Sequence, residues 1–259
     1  MPARFTGQVV LITGASTGLG LATARAFLNE GARVVLAARD PNRLQQAAAS
    51  LGPNATAIHC DVTHRDQVNH LIAEAIRHFN RLDILINNAG TGMIAPLDQS
   101  SSTDIAALID TNFHGTVHCI QAALPHMTTG GRIINISSIA GLRGIPSSSV
   151  YSASKAALVG LSESLRIELR DRGITVTLVC PGRIRLADTS FFDTAKKSVN
   201  TSLLPVAKEL TADQVAAAIL DATAKRKKLV VIPREARLLY LIQRFCPRLA
   251  DNILAKRKS

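Results

Sequence analysis

Short runs of β-branched and aliphatic residues alternate with longer stretches of helical periodicity along almost the whole chain, and this alternation constrains the fold more than any other feature. A strand–helix–strand order predicts right-handed βαβ crossovers, a parallel sheet and helices on both of its faces. The predicted strands are 8–13, 33–38, 56–60, 82–87, 132–137, 175–179 and 229–232. The predicted helices are about 18–29, 42–50, 65–80, 101–127, 151–172 and 212–225.

A chain of 259 residues, of which 47% are hydrophobic, can bury the core of one large α/β domain. No internal boundary or repeat is visible. We therefore predict a single Rossmann-type domain over residues 1–233, with a doubly wound parallel sheet of about seven strands, and a helical extension over 234–259. The stretch 183–210 lacks clear periodicity, and irregular segments of that length in compact domains are usually binding loops.

Cysteine usage and the N-terminal sequence indicate the compartment. The four cysteines lie far apart and form no Cys-x-x-Cys pair: Cys60, Cys119, Cys180 and Cys246. This spacing argues against a disulfide framework and against a zinc site, and it suits a reducing compartment. With no signal peptide and no apolar run of roughly 18 residues, we expect a cytoplasmic protein without a membrane-spanning helix.

The formal net charge of +11 is concentrated near the C-terminus. Residues 225–259 contain eleven Lys or Arg residues and two acidic residues, so this tail carries +9 and the rest of the chain only +2. A basic tail suits an anionic surface, membrane or partner more than an anionic substrate, and it also suits a solvated charged end. It contains no nucleic-acid recognition motif, so nucleic-acid binding is not expected.

The tail also carries an apolar stripe. Four residues recur at positions i, i+3, i+4 and i+7: Leu238, Leu241, Ile242 and Phe245. This spacing predicts an amphipathic helix, which Pro247 separates from a second short helix. A basic amphipathic helix is a candidate for peripheral membrane contact, and packing on the body of the protein or on a second subunit is the commoner arrangement.

The first predicted strand runs into a glycine-rich turn and then into a helix. The spacing is Gly-x-x-x-Gly-x-Gly, not the Gly-x-Gly-x-x-Gly of the usual dinucleotide fingerprint. Glycine lets the backbone approach a pyrophosphate, and the helix N-terminus attracts its negative charge. We therefore predict cofactor contacts from Gly14, Ser16, Thr17, Gly18, Leu19 and Gly20.

The end of the second predicted strand bears on the choice of cofactor. In dinucleotide-binding folds this position lies beside the adenosine ribose, where an acidic side chain favours NAD and an arginine favours a 2′-phosphate. Here Ala38 is neutral and Arg39 follows it, so NADP(H) is favoured over NAD(H). Asp40 leaves the alternative open, because it is suited either to accept from the ribose or to cap the next helix.

Tyr151 and Lys155 are four residues apart at the start of a predicted helix, so they share one helix face. An ammonium beside a phenol stabilises the phenolate, so we expect the pKa of Tyr151 to lie below its ordinary value of about 10. Such a tyrosine exchanges a proton with an alcohol or a ketone oxygen. A surface tyrosine beside a solvated lysine has the same spacing, so this pair alone does not distinguish a catalytic site from an ordinary surface.

Taken in order, these motifs resemble those of the short-chain dehydrogenase/reductase family over about residues 5–233. The matching segments are residues 13–20, Asn87-Asn88-Ala89-Gly90, Asn112, Ile136-Ser137-Ser138, the Tyr151–Lys155 pair and Pro181-Gly182. Their joint order and spacing make the match highly specific. The resemblance implies a nicotinamide-dependent oxidoreductase that assembles as a homodimer or homotetramer through the two long helices.

The resemblance also implies roles for individual residues. Tyr151 would be the general acid in reduction and the base in oxidation, while Lys155 would hold the nicotinamide ribose and lower the Tyr151 pKa. Ser138 would stabilise charge on the substrate oxygen, and Asn112 would hold a water in a proton relay to Lys155. The remaining cofactor contacts would come from Arg39, Asp61, Val62, Asn88, Ala89, Gly90, Pro181, Gly182 and Ile184, and no metal site is implied.

The substrate pocket is expected between residues 140–149, residues 89–94 and the 183–210 loop. Its members would be Ser138, Leu142, Ile145, Tyr151, Phe191 and Phe192. This mostly apolar set favours a lipophilic ketone or secondary alcohol. One departure from the family pattern is Arg185, which replaces a threonine that usually contacts the nicotinamide carboxamide. Arg185 either favours an anionic group on the substrate or points to solvent.

We therefore predict an NADP(H)-dependent carbonyl reductase or alcohol dehydrogenase that acts on a lipophilic small molecule. Two alternatives stay open. A 3-oxoacyl carrier-protein reductase would use the basic tail to dock an acidic carrier. A cofactor-binding sensor or scaffold would keep the fold without turnover, although such a protein needs none of the four catalytic-type residues.

Overall fold

The computed structural model describes residues 3–185 and 209–255, which contain one seven-stranded parallel sheet. The strands are β1 (Val9–Thr13), β2 (Arg33–Ala38), β3 (Ala55–His59), β4 (Ile84–Asn87), β5 (Arg132–Ile136), β6 (Thr175–Pro181) and β7 (Leu229–Ile232). Their order in the sheet is β3-β2-β1-β4-β5-β6-β7. The predicted doubly wound fold is confirmed, and its switch point, where ligands bind in such sheets, lies between β1 and β4.

Helices cover both faces of this sheet. Those before β5 are α1 (Gly18–Asn29), α2 (Pro41–Leu51), α3 (Arg65–Phe79), α4 (Ser102–Ile109) and α5 (Gly115–Ala123). Those after it are α6 (Ile139–Leu142), α7 (Ser149–Glu168), α8 (Ala212–Ala224), α9 (Arg234–Phe245) and α10 (Pro247–Ala255). The range predicted for α1 is the range observed, and most other boundaries shift by only one or two residues.

The helical stretch predicted over 101–127 is observed as an unbroken run from Ser102 to His126, but this run is not a uniform α-helix. A π-helical turn, Asp110–His114, separates α4 from α5, and a 3₁₀ turn, Leu124–His126, follows α5. The sequence pattern also does not predict α6, because four residues are too few to show a helical period. Both features lie beside the site described below.

Two apolar layers, one on each face of the sheet, hold these elements together. Alternate residues of a strand point to opposite faces. In β1, Val10 and Ile12 therefore enter the layer that includes α1 and α8, whereas Val9 and Leu11 enter the layer that includes α3, α5 and α7. All four side chains are fully buried, and burial of each aliphatic side chain contributes about 1.5–3 kcal/mol. This packing fixes the strand ends from which the site residues project.

The tail helices pack on the same body. α9 contacts β7 and α6, its Ala236 is buried, and Arg143 donates from Nη1 to Gln243 Oε1 at 2.6 Å. Ala236 and Gln243 are seven residues apart and share a helix face. That face is opposite the predicted apolar stripe, whose Leu238 and Leu241 are exposed. Among the described residues, every helix falls short of the length or the apolarity needed to cross a membrane.

Candidate active site

The four residues predicted to be catalytic come together beyond the carboxyl ends of β4 and β5. Asn112 lies in the π-helical turn, Ser138 follows β5 as the N-cap of α6, and Tyr151 and Lys155 lie in the first turns of α7. Lys155 Nζ donates to the carbonyl of Ile136 at 3.1 Å. A hydrogen bond joins the Ser138 and Tyr151 side chains. The fold therefore brings three separate segments of the chain to one place.

Lys155 is buried, with 3% of its surface exposed. Removal of the ammonium from water lowers the pKa of Lys155 to about 8. Its Nζ lies 6.0 Å from the centre of the Tyr151 ring. The two residues thus share a helix face, as their spacing predicted, with the lysine held against the end of β5.

The expected lowering of the Tyr151 pKa is not found. Burial raises the pKa of Tyr151 to about 12, and the hydrogen bond with Ser138 offsets only part of that rise. The prediction was wrong because burial penalises the phenolate, whereas the spacing argument considered only the nearby ammonium. At neutral pH the phenol keeps its proton and is ready to donate it.

Spectrophotometric titration tests this raised pKa. The chain has two tyrosines and no tryptophan, so subtracting the titration of a Tyr151→Phe variant from that of the wild type isolates Tyr151. We expect this phenol to ionise well above pH 10, with a pKa of about 12. An ionisation below pH 10 would show instead that Lys155 outweighs burial.

Asn112 is held by its own hydrogen bonds. Its Oδ1 accepts from Thr91 N at 2.8 Å, and its Nδ2 donates to Thr91 O and to Ser154 Oγ, each at 3.0 Å. Asn112 therefore ties the loop after β4 to α7. A Cβ on Gly90 would lie 3.1 Å from Asn112 Oδ1 and 3.2 Å from Lys155 Nζ, so both groups flank this glycine. The water relay through Asn112 stays a prediction.

Sequence reasoning missed Thr91 and Ser154. Neither carries an unusual charge or stands in a motif that predicts this contact, and Ser154 is fully buried on α7. The one sequence feature that points to this site is Asn112 itself, because asparagine is a poor helix former and here lies in a helical stretch. π-Helical turns often occur at functional sites, and this one gives that asparagine its position.

The glycine-rich turn is braced by the end of β4. Asn88 Nδ2 donates to Thr13 O at 2.9 Å and to Gly14 O at 3.0 Å. Thr13 Oγ1 in turn accepts from the backbone N–H groups of Asn88 and Ala89 at 3.1 and 3.0 Å. Asn88 was predicted to line the cofactor channel, and the structure shows that its amide fixes the shape of the turn. Thr13 supports the turn in the same way.

Two glycines of this turn have no room for a side chain. Gly14 has φ +65°, and a Cβ there would lie 2.9 Å from Ala89 Cα. A Cβ on Gly20 would overlap Gly14 O and lie 2.7 Å from Asn88 Nδ2. Backbone atoms on both sides therefore require glycine at these two positions.

The N-terminus of α1 fits a bound pyrophosphate. Thr17 is the N-cap residue, but its side chain caps no N–H group. The first N–H groups of the helix point out of its N-terminus, where anions bind. Ser16 and Thr17 are partly exposed beside them, while Leu19 is buried. The residues present thus fit the phosphates of a nicotinamide dinucleotide.

At the end of β2, Arg39 and Asp40 have different roles. Asp40 caps α2, since its Oδ1 accepts from Asn42 N and Arg43 N at 3.0 Å each. The cap, one of the two roles that the sequence left open, is therefore observed. Arg39 is exposed, and its guanidinium makes no hydrogen bond or ion pair with the residues that the structure describes. It is therefore available to an anionic ligand.

Asp61 and Val62 follow β3. Asp61 Oδ1 accepts from Thr63 N at 3.0 Å and from Thr63 Oγ1 at 2.9 Å, so it shapes the turn before α3. Val62 is buried, and a Cβ on Gly115 would lie 2.5 Å from Val62 Cγ2. Both residues lie at the edge of the sheet where the cofactor residues gather, and both also have clear structural roles.

The segment that follows β6 pairs with the residues just before α8. Pro181 ends β6, Gly182 follows, and Ile184 forms a parallel bridge with Leu210. The Glu209 carboxylate forms ion pairs with two arginines, with Arg183 Nε at 3.2 Å and with Arg185 Nε at 3.0 Å. Arg185 is largely exposed and its charge is met by this carboxylate.

The cavity of about 740 Å³ beside the site includes only part of the predicted substrate pocket. Leu142 and Ile145 line it, together with Gln243 and Asp251 from the tail. Ser138 and Tyr151 are not in its lining. The predicted pocket residues Phe191 and Phe192 lie outside the described residues. The role of the tail in this wall is a feature that sequence reasoning missed.

Comparison with known proteins gives a family match. The family model described as short chain dehydrogenase matches residues 8–198. The protein named 11-beta-hydroxysteroid dehydrogenase 1A, from Arabidopsis thaliana, is 36% identical over 261 residues, which cover 95% of this chain and 74% of the plant protein. YxnA of Bacillus subtilis, named as an uncharacterized oxidoreductase, is 34% identical over 268 residues, with 98% of this chain and 73% of the bacterial protein covered.

A solved structure is similar over nearly the whole of both chains. It is a short chain dehydrogenase/reductase from Burkholderia phymatum in complex with NAD, with a TM-score of 0.83 and 28% sequence identity. The likeness covers 95% of this chain and 96% of that one. It therefore includes the strand ends on which the site is built.

Proposed function

Because the chain belongs to the short-chain dehydrogenase/reductase family, we propose that it is an NADP(H)-dependent enzyme that reduces a lipophilic ketone to a secondary alcohol and catalyses the reverse oxidation. Oxidoreductase chemistry between an alcohol and a carbonyl group is the family's activity. The observation that carries the proposal is the meeting of Ser138, Tyr151 and Lys155, with Tyr151 and Ser138 hydrogen-bonded. This arrangement supplies a proton donor and an oxygen-binding hydroxyl side by side.

The chain's own residues would handle the proton and the substrate oxygen. When bound, the reduced nicotinamide supplies a hydride to the carbonyl carbon. Tyr151 donates its phenolic proton to the carbonyl oxygen, which completes the alcohol and leaves a phenolate. Ser138 donates a hydrogen bond to the same oxygen as negative charge develops there. At neutral pH the phenol of Tyr151 therefore holds the proton that this step requires.

The preference for NADP(H) rests on Arg39. Its guanidinium is exposed at the end of β2 and suited to a 2′-phosphate, while the acid next to it is committed to capping α2. The bacterial structural relative is a complex with NAD, and in this chain Arg39 is the residue that would favour NADP(H) instead.

Replacing Arg39 with alanine is expected to raise the KM for NADPH by about 10- to 100-fold, because one charge-assisted contact contributes about 1.5–3 kcal/mol. The KM for NADH, which has no 2′-phosphate, should change less than about twofold by the same argument. Steady-state kinetics with both cofactors and one ketone measure the two effects.

A matched control for this variant is Arg77→Ala. Arg77 is an exposed arginine on α3 that pairs with Glu74 at 2.6 Å. Its removal should leave both KM values unchanged. Equal losses for NADPH and NADH in Arg39→Ala would remove the basis for the NADP(H) assignment.

The lipophilic substrate class is supported by the apolar cavity wall and by the name of the plant relative. Oxidation of NADPH and of NADH should be followed against ketones, steroids, aldehydes and short 3-oxoacyl thioesters. Turnover confined to lipophilic ketones supports the proposal, and preference for the thioesters would favour a carrier-protein reductase. Cofactor binding without any turnover would favour a sensor or scaffold.

We also propose that the chain assembles as a homodimer or homotetramer through α4, α5 and α7, as the family resemblance implies. α7 exposes Ile167 over 78% of its surface, and an interface through this helix would cover that side chain. Light scattering of the full chain gives the mass that tests this.

A further inference from the structure

The tail turns a row of large apolar side chains toward solvent. Leu238 is 62% exposed, Leu241 41% and Phe245 75%, and Leu249 at the start of α10 is 52% exposed. The first three lie at i, i+3 and i+7 on α9 and so form one stripe. Solvent exposure of a contiguous apolar stripe on a folded body marks an interaction surface.

The outward direction of this stripe is set by the docking of the tail. Arg143 donates from Nη1 to Gln243 on α9 at 2.6 Å and pairs through Nη2 with Asp251 on α10. Ala236 is buried on the same side of α9 as Gln243. With one face of the helix held on the body, the opposite face, which carries the stripe, has to face away from it.

Arginines flank the stripe. On a helix, Arg237 is a neighbour of Leu241 at i, i+4, and Arg244 is a neighbour of Leu241 at i, i+3. Both arginines are exposed, as is Arg248 on α10. They belong to a segment, residues 225–259, whose net charge is +9. Two copies of this surface would repel each other, whereas an anionic surface would attract it.

We propose that this tail face docks on the surface of an anionic lipid bilayer. The tail face is defined by Leu238, Leu241, Phe245 and Leu249 with Arg237, Arg244 and Arg248. Apolar side chains on one helix face enter the boundary between headgroups and acyl chains, and the flanking arginines meet anionic headgroups.

Docking would bear on catalysis, and that step rests on the proposed function. The inner face of the same two helices supplies Gln243 and Asp251 to the cavity that Leu142 and Ile145 also line. A docked tail would therefore keep this cavity close to the bilayer, where a lipophilic ketone concentrates. Binding to the bilayer itself requires neither cofactor nor turnover.

Co-sedimentation of the full chain with vesicles tests the proposal. We expect binding to vesicles of phosphatidylcholine mixed with phosphatidylserine, weakened by added salt, and little binding to phosphatidylcholine alone. The double variant Leu241→Asp/Phe245→Asp should lower the partition coefficient by more than about tenfold. Arg237→Gln and Arg244→Gln should each lower it by about fivefold, the equivalent of about 1 kcal/mol per basic residue.

The matched control is Leu97→Asp, which adds a charge at an apolar residue that is 61% exposed in the segment before α4 and is not part of the tail. It should bind vesicles as the wild type does. Absence of binding to the mixed vesicles, or equal binding to neutral ones, would overturn the proposal. So would a dimer in light scattering that the double variant dissociates, because a second copy would then cover the stripe. If the full chain binds the mixed vesicles but turns over none of the carbonyl substrates, that result would count against the proposed function and not against bilayer docking.

Discussion

Tyr151→Phe is expected to lower kcat by about a thousandfold or more, because positioned proton transfer contributes on the order of 10²–10⁴ and Tyr151 is the proton donor hydrogen-bonded to Ser138. The change removes one oxygen and keeps the ring, so packing around α7 should be preserved. NADPH binding should stay within about twofold of the wild type. Single-turnover reduction with saturating NADPH measures the chemical step, and a cofactor titration measures binding.

Tyr240→Phe is the matched control for this loss. Tyr240 is the other tyrosine of the chain and lies on α9, where its hydroxyl oxygen accepts from Arg244 at 3.1 Å. Its removal should leave kcat unchanged. A Tyr151→Phe enzyme that keeps its kcat would exclude Tyr151 as the proton donor, and a proportional loss of cofactor affinity would indicate damage to the site instead.

The fold was predictable because its central strands are buried on both faces. A continuous apolar run such as that of β2, Arg33–Ala38, has few other interpretations once helical stretches stand on either side. The π-helical turn Asp110–His114 was not predictable in the same way. Its neighbours keep a helical pattern, and a single wide turn shifts that pattern by too little to show in one sequence.

The candidate site was predictable in its members and less so in its chemistry. Tyr151 and Lys155 are close in sequence, but Ser138 and Asn112 joined them only through the family resemblance. The sign of the Tyr151 pKa shift depends on burial, which is a property of the assembled fold and not of a spacing. The carboxylate of Glu209 that meets Arg183 and Arg185 is equally invisible in sequence, because the two segments are far apart along the chain.

The tail shows most directly that hydrophobic periodicity does not predict which face of a helix packs on the body. The pattern identified the apolar stripe of α9 correctly, yet a pattern only states that two faces differ. The face that packs on the body carries Ala236 and Gln243, and a polar contact from Arg143 holds it there. A prediction that the apolar face packs inward would have placed this helix the wrong way round.

Gly20→Ala is expected to destabilise the fold by about 2 kcal/mol or more and to abolish measurable NADPH binding. Two effects oppose each other at this position. Alanine is the better helix former by about 1 kcal/mol, but its Cβ would overlap the carbonyl oxygen of Gly14 and lie 2.8 Å from Ala15 Cα. Both of those atoms belong to the backbone, so relief requires α1 to move away from the turn. Denaturant unfolding and a fluorescence titration with NADPH measure the two losses.

The control for this variant is Gly144→Ala, because Gly144 is exposed and a Cβ there would meet no heavy atom within 4 Å. The same chemical change should leave both the stability of the fold and NADPH binding nearly unaltered. If Gly20→Ala behaved like the control, the close packing of α1 on the glycine-rich turn would be wrong, and so would the cofactor cradle built on it. If Gly20→Ala lost NADPH binding but kept its stability, the close approach of Gly20 to Gly14 would shape the anion site without supporting the fold. The glycine-rich turn, and not α1, would then have moved to make room for the Cβ.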